Sequence, residues 1–123
     1  MTKKTFWEII KTTYSTDLIE YKKNLSLELG ILSVEDCLSF AKFMDKFAQE
    51  LNTYKLWAVA DLYYFGKFNH KCNDAAFGDW RTWIVLCGEQ TFRTALHSPD
   101  DLLDTIIAHP NPCLLYTSPS PRD

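Results

Sequence analysis

Large apolar side chains in this chain recur at intervals of three and four residues, and no run alternates with period two long enough to make a strand. That spacing puts one greasy stripe on each segment of coiled backbone, so it predicts an all-α fold. The clearest stripe is Cys37, Phe40, Met44, Phe47, Leu51 and Tyr54, read as one helix behind a Ser33 cap with Glu35 and Asp36 in its first turn. Ahead of it, Thr5-Phe6-Trp7-Glu8 has the form of a capping box. Ser15-Thr16-Asp17 offers a second start for Leu18, Tyr21, Leu25 and Leu29, with Gly30 as the stop. Leu56 to Phe65 is apolar nearly all round, which predicts a central helix.

Beyond that segment, Gly66 to Cys72 reads as a loop and Asn73 as the cap of the next helix. Phe77, Trp80, Ile84 and Cys87 form its inner face with Trp83 beside them, and Gly88 ends or bends it. Phe92, Ala95 and Leu96 continue in a short helix. Ser98-Pro99-Asp100-Asp101 starts another, whose apolar side is Leu102, Leu103, Ile106 and Ile107 and whose end is His109-Pro110. The expected architecture is an irregular or orthogonal bundle of about five to seven helices around Leu56–Phe65.

Composition narrows the function classes. The chain has 123 residues, which suits one domain, and its abundant aromatic rings can fill a core even at that size. A net charge of −3 gives no overall field for a phosphate backbone, so no nucleic acid is expected as a partner. No apolar run approaches the roughly 20 residues of a membrane span, and no secretory leader is readable. The cysteines show no CxxC spacing, and Cys37 and Cys87 sit in apolar helical patterns, which predicts free thiols and a reducing, cytoplasmic setting.

The last eleven residues, 113–123, are rich in Pro and Ser, lack periodicity and resemble the translation of a sequencing adapter. We read them as non-native, with residues 1–112 as a single helical domain cut short at its C-terminus.

Several blocks together carry a family resemblance. They are Phe6-Trp7 with Ile10, Leu56-Trp57-Ala58-Val59-Ala60, Cys72-Asn73-Asp74-Ala75-Ala76-Phe77 and Trp80-Arg81-Thr82-Trp83-Ile84 with Gly88, then Phe92, Ala95-Leu96 and Pro99-Asp100. In order and spacing the chain resembles the bacterial family known as domain of unknown function 4240, over roughly residues 4–105. The resemblance implies a bacterial, mostly cytosolic protein and supplies no reaction. Family members usually carry a second acid after the position of Asp74, where this chain has Ala75, and they tend to extend into a further acidic, amphipathic helix.

Among polar groups, Asp74 and Arg81 stand two helical turns apart, about 10 Å of rise, with Gly78 between them. Trp57, Trp80 and Trp83 complete the candidate binding set, since an Arg with aromatic neighbours can hold a carboxylate or phosphate bidentately. The competing reading has Arg81 pairing with an acid or capping a neighbouring helix, and Asp74 serving its own helix dipole. His70, Cys72 and Asp74 fall short of a zinc ligand set, so no metal and no cofactor are expected. No nucleophile motif and no glycine-rich phosphate loop occurs. The reading favours a non-enzymatic binding protein with a protein partner, of immunity type. The alternative is a small enzyme or ligand-binding domain using a cleft at those five residues. Oligomeric state is not legible.

Overall fold

The computed structural model describes residues 1–102, and within them every regular element is a helix. In chain order these are α1 (Lys3–Thr13), α2 (Leu18–Gly30), α3 (Val34–Glu50), α4 (Tyr54–Phe68), α5 (Asp74–Leu86) and α6 (Glu89–His97). Residues 99–102 begin a further helical turn. The fold is an all-α bundle, as the three-and-four spacing predicts. The expected apolar positions Leu103, Ile106 and Ile107, the stop at His109-Pro110 and the segment 113–123 lie outside the described residues.

Most helices start where the sequence places a short polar side chain. Asp17, Ser33 and Asn73 accept hydrogen bonds from first-turn amides of α2, α3 and α5. The first helix differs. Thr2, not Thr5, is its cap, with Oγ1 accepting from the Thr5 amide, so helix forms one turn earlier than the Thr5–Glu8 box predicts. The stripe ending at Tyr54 also divides. α3 stops at Glu50, Leu51 closes it, and Thr53 caps a new helix by accepting from the Leu56 amide. Tyr54, read as the end of the stripe, therefore opens α4 and is fully exposed. The expected loop at 66–72 begins late, because α4 continues to Phe68 and ends on Asn69 in the left-handed region at φ 60°.

The core lies around α5 rather than α4. α5 packs on α3, α4 and α6, while α1 packs on α2 and α3. Trp80, Ile84 and Val85 of α5 are fully buried with Phe6, Ile10, Leu51, Leu56, Tyr64 and Leu102. α4 buries Leu56, Val59, Ala60, Tyr63 and Tyr64 but leaves Leu62 and Phe65 exposed. The expectation of a central Leu56–Phe65 helix is thus corrected: apolarity all round does not enclose this helix, since α5 contacts only one side of it. Aromatic rings join the remaining layers. Phe6 and Trp7 of α1, Phe40 and Phe47 of α3 and Phe92 of α6 stack with centroids 4.8 to 5.4 Å apart.

At the last turns of four helices a carbonyl is met by a side chain from elsewhere in the chain. Asn24 Nδ2 donates to the Thr13 carbonyl of α1 at 3.2 Å, and the Cys37 thiol donates to the Leu29 carbonyl of α2 at 3.3 Å. Arg81 Nη1 donates to the Ala48 carbonyl of α3 at 2.9 Å. The Tyr21 hydroxyl donates to the Leu86 carbonyl of α5. Each bond brings a side-chain donor to a last-turn carbonyl, that of Leu29 accepting from the Ile31 and Leu32 amides as well, and each also clasps two elements together.

Candidate functional site

The five residues singled out by sequence do not form one site. Asp74 follows the Asn73 cap, whose Oδ1 accepts the Ala76 amide at 2.8 Å, and stands exposed in the first turn of α5. There its negative charge complements the amide end of the helix. It makes no ion pair with Arg81. Two turns on, Arg81 folds back across the α3–α5 interface to the Ala48 carbonyl. Its guanidinium lies over the Phe77 ring, 4.9 Å from the centroid, and its Nη2 is 3.7 Å from where a Cβ at Gly78 would sit. That distance is ordinary van der Waals contact, so the guanidinium passes close to Gly78 without requiring a glycine there. Burial lowers the Arg81 pKa, and the carboxylate of Asp45 on α3 opposes that shift.

The tryptophans are spread through the packing. Trp57 of α4 is half-buried against Phe77, with centroids 4.6 Å apart. Trp80 is fully buried, 6.0 Å from the Tyr63 ring, and its Nε1 has no hydrogen-bond partner. Trp83 is half-buried against the core. Trp57 and Arg81 meet through Phe77, whose place at the junction follows from its inner-face position. Asp45 and Ala48 were not legible as neighbours of Arg81, because they lie on another helix more than thirty residues away in sequence.

The loop between α4 and α5 is held by Asp61, whose Oδ1 accepts the Cys72 amide at 2.9 Å. Burial, and then the Asp61 charge, push the Cys72 thiol up to about 12, so the thiol remains protonated at neutral pH and is not a nucleophile there. His70 is exposed, with Nδ1 2.9 Å from the Lys71 carbonyl. Among the described residues no three His, Cys, Asp or Glu side chains are grouped to hold a metal ion, and no helix is long and apolar enough to cross a membrane. A concavity of about 830 Å³ lies elsewhere, between α1, the end of α3 and α6. None of Trp57, Asp74, Trp80, Arg81 and Trp83 lines it.

A family model described as "Protein of unknown function (DUF4240)" matches residues 1–115 of the chain. Neither a curated protein nor a solved structure matches it.

Proposed function

The chain belongs to the DUF4240 family, whose description assigns no activity, and we propose that it acts as a non-enzymatic module that binds another protein through the corner between α2 and α3. The observation that carries this reading is a run of exposed apolar side chains. Leu27, Ile31, Val34 and Leu38 are 63%, 78%, 76% and 57% exposed, and they repeat at intervals of four, three and four across the turn. Burying large aliphatic side chains is worth about 1.5–3 kcal/mol each, so leaving four of them in water within twelve residues favours a partner that covers them. The same twelve residues contain Glu28, Glu35 and Asp36, the last paired with the Met1 ammonium at 3.7 Å, and no Lys or Arg. An apolar centre with carboxylates around it complements a basic protein face, and such charges chiefly steer encounter and set specificity.

The engagement of Arg81 with α3 supports a binding role over an enzymatic one centred on α5. An immunity-type role, in which this surface masks a basic partner, fits the same chemistry. Cys37, Cys72 and Cys87 are free thiols, which supports a reducing, cytoplasmic setting.

The test compares capture by the wild-type chain and by L27S/I31S/V34S/L38S from a lysate of cells that carry the gene. All four positions are exposed, so the variant should unfold at the wild-type temperature. The expected result is a stoichiometric partner of basic composition retained by the wild type, released as salt rises and lost to the variant. Equal capture by the two proteins would refute the α2–α3 surface.

A further inference from the structure

The concavity between α1, the end of α3 and α6 has a different character from the α2–α3 corner. Its volume, about 830 Å³, lies in the range of small-molecule sites. Behind it lie the core rings Trp7, Phe47 and Phe92, 9%, 4% and 6% exposed, with Trp7 stacked on Phe47 at 4.9 Å and Phe92 edge-on to Phe47 at 5.0 Å. Lys3, Lys4 and Lys11 of α1 stand on one rim, exposed and without an acidic partner among the described residues. On the opposite rim Glu89 is held by Arg93 at 2.9 Å, which leaves two other carboxylates at the cleft, Glu50 of α3 and Glu8, which stands on α1 between Lys4 and Lys11. Cationic groups therefore outnumber acids around this cleft on a chain whose net charge is −3. The rim is also open at Gly88, which starts α6 at φ 119° and contributes no side chain.

We infer that this cleft binds a small organic anion, with its apolar body inside the cleft and a carboxylate or phosphate held by the α1 lysines. The lysines supply point charges with rotatable donors, suited to either headgroup. The apolar rings behind the cleft lower the local dielectric, so a charge placed there is felt more strongly than in open water. This inference rests on other residues than the protein-binding surface and stands or falls separately from it.

Calorimetric titration with 2-naphthoate, 2-naphthyl phosphate and the neutral 2-naphthamide tests it on the full chain. At least one of the anions should saturate the protein at millimolar concentration or below, at least tenfold more tightly than the amide. The arm that binds identifies the headgroup. K4E/K11E should weaken that binding at least tenfold. K22E/K23E, with the same change in net charge on exposed positions of α2, should change it less than twofold. Thermal melts of both variants should match the wild type. The inference is overturned if neither anion saturates, if the amide binds as well as the anions, or if the α2 pair weakens binding as much as the α1 pair.

Discussion

Arg81 shows how one residue type serves two roles depending on what lies within reach. A guanidinium beside aromatic rings in an open cleft would be a ready anion site. Here its Nη1 is taken by the Ala48 carbonyl and its face by Phe77. A hydrogen bond from a charged donor contributes more than a neutral one, and its loss leaves a carbonyl at the end of α3 without a partner. Arg81→Ala should therefore lower the unfolding free energy by about 2 kcal/mol in urea titrations, within the range for bonds to charged groups. Arg81→Lys should recover only part of it, because an ammonium cannot lie flat on Phe77 while reaching the same carbonyl. An unfolding curve for Arg81→Ala that overlays the wild type would show the guanidinium to be free of this duty.

At the level of elements, the helix starts at Asp17, Ser33 and Asn73 and the glycine stops at Gly30 and Gly88 were legible, and the clasps on the last turns were not. A cap acts over two or three residues, so Asp17, Ser33 and Asn73 announce themselves locally. Thr2 and Thr5 are both competent caps, and the earlier one holds because it starts the helix a turn sooner. The break at Thr53 was hidden because Tyr54 keeps the three-and-four rhythm across it. Two of these clasps come from side chains distant in sequence: Arg81 is 33 residues from Ala48, and Tyr21 is 65 from Leu86. No periodicity encodes such pairs. The contact of Arg81 with α3 was hidden for the same reason, since helical spacing placed Asp74 and Arg81 on α5 but could not reveal α3 beside Arg81. The cleft was likewise unreadable, being assembled from three elements. Tyr21→Phe removes one clasp and leaves the ring in place, so it should cost about 1 kcal/mol. Amides at the end of α5 should then exchange faster with solvent. Unchanged stability would mean that the Leu86 carbonyl has another donor.

Across the whole molecule, the bundle is organised around α5, which carries the most conspicuous residues and buries them. Trp80 and Ile84 stabilise the core, Arg81 clasps α3, and recognition is left to surfaces farther out: an acidic, apolar corner at α2–α3 and a lysine-rimmed cleft between α1 and α6. α4, the most apolar segment by sequence, lies to one side with Leu62 and Phe65 exposed. Native-state hydrogen exchange followed amide by amide tests this arrangement most directly, because helices nearest the centre open only with global unfolding. Amides of Phe77 to Val85 should exchange most slowly, with a free energy equal to that of complete unfolding, and those of α4 should open at lower cost. Protection highest in α4, with α5 opening before the rest, would contradict it.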